Sequence, residues 1–171
     1  PSGHLKRRRL ADGTWSGVFA YDLAGRLASI DNAAPVSGSE PEAFIQTLEY
    51  DAGGRSTKAI YGNGVTTTYT YSAPRGWLER VLSKTAANAK LQDLNYSRNL
   101  AGQITRVNST TGTVADDAAR SWTYGYDPLD RLISADNDNG TAEDRTFRYD
   151  DADNMLFNSS LCSGTADNLV Y

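Results

Sequence analysis

The stretch FAYDLAGRLASID, residues 19–31, has three close echoes: LEYDAGGRSTKAI at 48–60, YGYDPLDRLISADN at 124–137 and FRYDDADNMLFNS at 147–159. Aligned on their tyrosines, Tyr21, Tyr50, Tyr126 and Tyr149 are followed by Asp22, Asp51, Asp127 and Asp150. After two variable positions come Gly25, Gly54, Asp130 and Asp153, then Arg26, Arg55, Arg131 and Asn154. Two looser copies fill the gaps. YSAPRGWLERV (71–81) carries one inserted residue before Gly76, and RNLAGQITRV (98–107) keeps Asn99 and Gly102. That makes six copies at roughly 20 to 30 residues' separation. Repetition of this kind decides an architecture before any single motif does.

The fourth position after the tyrosine is glycine four times and aspartate twice, residues that accept a left-handed backbone. A connection that starts at Asp and ends on such a residue is a type I turn closing a β-hairpin through a bulge. The Asp carboxylate then accepts a hydrogen bond from the main chain two residues on, which nucleates the turn. The tips are expected at 21–26, 50–55, 71–77, 98–103, 126–131 and 149–154. Gly25, Gly54, Gly102, Asp130 and Asp153 have a geometric role there.

Period-two alternation flanks the tips. SWTYGYD places Trp122, Tyr124 and Tyr126 on one face with Thr123 and Gly125 on the other, and Tyr69 with Tyr71 and Phe147 with Tyr149 repeat the pattern. At the opposite hairpin ends, Asp12–Gly13 and Asn63–Gly64 read as tight two-residue turns. Longer connections near 31–43, 84–93, 109–120 and 136–145 lack apolar periodicity and read as exposed loops, with a helical turn near Ala86. The fold class is therefore all-β: a continuous antiparallel hairpin meander over residues 1–171, one segment of a longer protein. One hairpin is marginal in water, so the units must stack laterally into a strip with a tyrosine ladder on one face.

Composition agrees. Hydrophobic residues make up 39 % of the chain, Tyr is abundant at ten, and the one cysteine, Cys162, has no internal disulfide partner. The net charge of −4 argues against a nucleic-acid partner. The run Lys6–Arg9 would divide between two strand faces and reads as solvated. No apolar run approaches a membrane span, and the opening PSGHLK has no leader character.

Candidate chemistry is thin. His4 has no nucleophile elbow to serve, and one His with one Cys supports no zinc site. Cys162 reads as a small, partly buried residue. SADNDNGTAED fails as a calcium loop: with Gly140 at position six, Ala135 falls at one and Thr146 at twelve. Asn95, Asn108, Asn139 and Asn158 open N-x-S/T patterns, relevant only to eukaryotic secretion. No catalytic, cofactor-binding or metal-ligating residue is assigned, and no enzyme activity or cofactor is expected. The tyrosine ladder reads as packing rather than as a sugar platform.

The YDxxGR motif, carried by Tyr21, Asp22, Gly25 and Arg26 and preceded by Leu10-Ala11-Asp12-Gly13-Thr14, closely resembles the Rhs/YD-repeat family. The resemblance covers essentially the whole chain. It implies a β-strip that spirals into a large hollow shell, as in bacterial Rhs polymorphic toxins, the C components of insecticidal Tc toxins and, more distantly, the teneurin ectodomain. A full shell needs several times this length, so the chain is expected to form an arc of wall. The implied role is structural: part of a secreted or cell-surface bacterial toxin that encloses a C-terminal toxic domain and helps deliver it. The implied partners are the remaining shell and that cargo, with a delivery machine or receptor unidentified. The alternative is a cell-surface module for adhesion or for carbohydrate or receptor binding.

Overall fold

The computed structural model describes residues 4–9, 15–33 and 42–160. Among them are thirteen strands and one short helix. The strands are β1 (Arg7–Arg9), β2 (Trp15–Tyr21), β3 (Leu27–Asp31), β4 (Ala43–Tyr50), β5 (Ser56–Tyr61), β6 (Thr66–Tyr71) and β7 (Leu78–Lys84). They continue as β8 (Lys90–Arg98), β9 (Ile104–Ser109), β10 (Trp122–Tyr126), β11 (Leu132–Asn137), β12 (Arg145–Tyr149) and β13 (Met155–Asn158), with α1 (Val114–Ala119) between β9 and β10. The chain divides into two compact units at Gln92/Asp93, inside β8. In the first, β1 to β7 pair antiparallel in chain order. In the second, β8 to β13 do the same.

The alternation read from the sequence sets one face of each sheet. In the first unit, Leu48, Ala59, Thr67 and Ser83 stand opposite one another across β4 to β7. Ala59, Thr67 and Ser83 are buried, and the Thr67 and Ser83 hydroxyls bond to each other at 2.8 Å. The Tyr69 phenol is pushed up first by burial and then by its neighbours Tyr61 and Tyr71. The second unit repeats the device with Ala135 buried opposite Tyr124, whose phenol is raised by burial and by Tyr126 and Tyr96.

Among the described residues, the buried hydrophobic side chains are only those of Ala59, Ala135 and Phe157. A two-layer domain of this size would bury many more. Cohesion here rests instead on strand ladders, on aromatic cover and on the bonds between hairpins.

The connections depart from expectation in three places. Asn63–Gly64 is not a two-residue turn: Gly64 N–H donates to Tyr61 O, Tyr61 N–H donates to Val65 O, and only Gly64 has positive φ, at 79°. A two-residue turn of the type expected for Asn-Gly needs positive φ at both central residues. The observed loop is thus a type I turn with a glycine bulge, the same device as the tips. Residues 84–93 are neither a long loop nor a helical turn. Thr85 N–H bonds Ala89 O, Asn88 N–H bonds Thr85 O, and Asn88 adopts φ 65°, so β8 starts at Lys90. Thr85 and Asn88 take the places that Asp and Gly hold in the tips.

The third departure is the stretch 109–120, which contains α1. Asp117 anchors it, accepting hydrogen bonds from Ser109 Oγ, Thr111 N–H and Oγ1, and Gly112 N–H. Those donors, Thr111 Oγ1 foremost, hold the Asp117 carboxyl well below the usual range. In the 31–43 connection, Asn32 N–H bonds Glu42 O at 2.9 Å, while residues 34–41 lie outside the described set. The Asp12–Gly13 turn and Cys162 also lie outside it.

Candidate functional site

All six tips carry a residue of positive φ before the returning strand, and five of them share one hydrogen-bond pattern. Gly25, Gly54, Gly76 and Gly102 have φ of 78°, 81°, 66° and 94°, and Asp130 and Asp153 have 66° and 65°. In the first tip, Asp22 N–H donates to Arg26 O at 2.8 Å and Gly25 N–H donates to Asp22 O at 2.9 Å. The same pair recurs from Asp51, Asn99, Asp127 and Asp150. A register shift falls immediately before Tyr21, Tyr50, Tyr71, Arg98, Tyr126 and Tyr149, which is the expected bulge. In the third tip the extra residue widens the turn: Gly76 N–H reaches Ser72 O, and Ser72 Oγ accepts from Trp77 N–H.

The Asp side chain closes the tip from inside. Asp22 Oδ1 accepts from Ala24 N–H and Arg26 N–H, each at 2.9 Å, and Oδ2 takes the Arg26 Nε at 2.7 Å. Asp127 with Arg131 repeats all three bonds. Asp51 with Arg55 repeats the Arg bonds at 3.0 and 2.7 Å. Asn154 takes the arginine's place at Asp150, and Gln103 does so at Asn99.

The arginine then reaches sideways, a role that sequence reading missed. Arg26 stacks over the Tyr50 ring at 4.7 Å and donates to Asp51 O, both on the next tip. Arg55 stacks over Tyr71 at 4.6 Å. Arg131 stacks over Tyr149 at 4.9 Å and donates to Asp150 O at 2.9 Å and to Asp153 Oδ1. Gln103 keeps the lateral bond without the stack, donating to Asp130 O. A signal was present, since a planar cation and an aromatic ring recur at fixed offsets from one turn.

The tyrosine returns the contact. Tyr50 Oη donates to Leu27 O at 2.8 Å, Tyr71 Oη to Ser56 O, Tyr126 Oη to Ile104 O and Tyr149 Oη to Leu132 O. Each acceptor lies two residues beyond the turn-former of the preceding tip. Tyr50→Phe should therefore destabilise by about 1 kcal/mol while keeping the stacked ring. Chemical denaturation against wild type checks this, and an unchanged midpoint would show the hydroxyl to be idle.

His4 belongs to the same pattern. Its ring lies edge-on to Tyr21 with centroids 4.6 Å apart, and Tyr21 Oη donates to Leu5 O. It thus stands against Tyr21 as Arg26 stands against Tyr50. It lines an open groove of about 580 Å³ with Lys6, Phe19 and Tyr21. The loop compared with a calcium site has Asn137 buried and turned onto main-chain carbonyls. Among the described residues no three His, Cys, Asp or Glu side chains group as metal ligands, and no helix is long and apolar enough to cross a membrane.

The tip carboxylates are electrostatically settled. Asp22 and Asp51 are held below the usual value of 3.8, first by the Arg26 and Arg55 N–H groups and then by their guanidinium groups. At Asp127 partial burial opposes the shift, and Arg131 outweighs it. At Asp150 the Asn154 side chain is the main cause. These groups titrate lower folded than unfolded, so they add stability above the unfolded value and lose it as pH falls through the folded one. Stability should be level from pH 7 to 5 and decline only below about pH 4, as thermal melts across pH would show.

No protein-family model matches the chain. Toxin subunit YenC1 of Yersinia entomophaga is 28 % identical over 173 residues, covering 81 % of this chain and 17 % of its own length. Toxin subunit YenC2 of the same organism is 32 % identical over 130 residues, covering 68 % of this chain and 13 % of its own. Among solved structures, the Photorhabdus luminescens Tc holotoxin pore superposes with a TM-score of 0.77 at 25 % identity, over 92 % of this chain and 8 % of that one. A TcdB2–TccC3–TEV structure also gives 0.77 at 25 % identity, over 91 % of this chain. These similarities run along the repeat rather than through one short motif. The chain belongs to the Rhs/YD-repeat family. Within each unit the repeat residues of this family member close their turns and tie neighbouring tips together, while the chain spans less than a fifth of its curated relatives' lengths.

Proposed function

We propose that this chain is a YD-repeat wall segment of a longer, secreted bacterial toxin subunit, with the job of enclosing a C-terminal toxic domain and aiding its delivery. One observation carries most weight: the repeat residues are consumed in joining hairpin to hairpin. Arg26 spans from the Asp22 carboxylate to the Tyr50 ring and the Asp51 carbonyl, and Arg131 spans in the same way from Asp127 to Tyr149 and Asp150. Side chains so committed serve a barrier rather than a reaction, so the segment is read as non-enzymatic. The curated relatives are toxin subunits, which supports the toxin setting. The natural partners are the remainder of the same wall and the domain it encloses.

The test uses the full parent protein. Its C-terminal region should resist added protease in the native state and become sensitive once the wall is unfolded by denaturant. A C-terminal region digested equally fast in both states would overturn enclosure. It would leave a surface module for adhesion, to be assayed for glycan and receptor binding.

A further inference from the structure

The chain contains two Asn-Gly pairs among the described residues, and the fold treats them differently. Asn63–Gly64 is tied down. Asn63 Oδ1 accepts from Val65 N–H at 3.1 Å, and Gly64 N–H donates to Tyr61 O at 2.9 Å. A Cβ placed on Gly64 would meet the Ala86 methyl at 3.1 Å, so Gly64 is packed against a neighbouring turn. Asn139–Gly140, in the turn between β11 and β12, is open. The Asn139 carboxamide makes no hydrogen bond among the described residues, and the residue is exposed. The Gly140 N–H reaches Asn137 O only at 3.3 Å, the long end of hydrogen bonding. A Cβ on Gly140 would meet nothing within 4 Å.

We propose that Asn139–Gly140 is a site of spontaneous modification through a succinimide, and that the fold protects Asn63–Gly64 from the same fate. The Gly140 amide gives up its proton to solvent base and its nitrogen attacks Asn139 Cγ. The new C–N bond forms as the Cγ–Nδ2 bond breaks, and the amide nitrogen leaves as ammonia. Water then opens the five-membered imide at either carbonyl carbon, giving aspartate or isoaspartate. No oxidant or reductant is needed. A free carboxamide, a weakly held amide nitrogen and a residue without a side chain are the three local requirements, and position 139 meets them all.

The product has a defined setting. A new carboxylate at 139 would adjoin Asp138, which forms an ion pair with Arg106 on β9. The isoaspartate form would lengthen the main chain where Asn139 N–H now bonds Asn137 Oδ1 at 3.0 Å. The modification therefore adds negative charge to an already acidic turn and loosens one contact of a buried side chain.

The experiment is peptide mapping by mass spectrometry of the full parent protein aged at mildly alkaline pH, once folded and once in strong denaturant. In the folded chain, conversion at 139, read as a gain of one mass unit with loss of ammonia, should exceed that at 63 by about tenfold or more. In denaturant the two sites should convert at similar rates, because the dipeptide is the same. Equal folded-state rates at both sites, or faster conversion at 63, would overturn the proposal. So would conversion at 139 that appears only after unfolding.

Discussion

Gly76→Val is expected to destabilise the first unit by about 2–3 kcal/mol, through two separate effects. Gly76 lies at φ 66°, where a β-branched residue is strained. In addition, a Cβ there would collide with the Arg55 guanidinium, which is stacked over Tyr71. The arginine tip is flexible and would swing aside, so the clash turns into the loss of a tip-to-tip contact. Gly54→Val separates the terms, because Gly54 has φ 81° and nothing within 4 Å of its Cβ position. Its cost should be backbone strain alone, about 1–2 kcal/mol. Gly54→Asp should be close to neutral, since Asp130 and Asp153 hold the same conformation at 66° and 65°. Urea unfolding of the three variants orders them. Equal losses for Gly76→Val and Gly54→Val would show that the arginine contact contributes nothing.

The tips were readable because their chemistry is local. An Asp that bonds its own turn and a residue that accepts positive φ sit three apart in four copies, and two looser copies in the gaps leave little room for another fold. The lateral chemistry was not readable in the same way. Arg26 and Tyr50 are 24 positions apart, and only the pairing of β3 with β4 brings them together. The Thr85–Ala89 turn was missed because Thr and Asn replace Asp and Gly, leaving the geometry without its spelling. Helix α1 was missed for a different reason. VADDAA is too short to show a period, and Thr113 at its N-cap makes no side-chain capping bond. What holds α1 in place is Asp117 bonding backward to Ser109, Thr111 and Gly112, a set of contacts no helix pattern encodes.

Asn137→Ala is the second substitution with a large expected effect, about 2–3 kcal/mol. Asn137 is only 7 % exposed and ties three segments of the second unit. Its Nδ2 donates to Ala119 O at the end of α1 and to Ser121 O just before β10, at 3.0 and 3.2 Å. Its Oδ1 accepts from Asn139 N–H in the β11–β12 turn. Alanine removes three bonds at once and leaves the Ala119 and Ser121 carbonyls without that donor in a confined space. Ser121, itself 2 % exposed, would feel the change, because its Oγ accepts from Ser109 N–H and donates to Asp117 O. The loss should therefore spread through residues 109–121 rather than stay at one turn. Hydrogen exchange should show faster exchange at Ser109 and Asp138 N–H, the second of which bonds Ser121 O. Asn137→Asp keeps the size and the Oδ1 acceptor but lacks the donor, so it should lose nearly as much. A variant that kept wild-type stability and exchange would mean that α1 is held by Asp117 alone, with Asn137 only filling space.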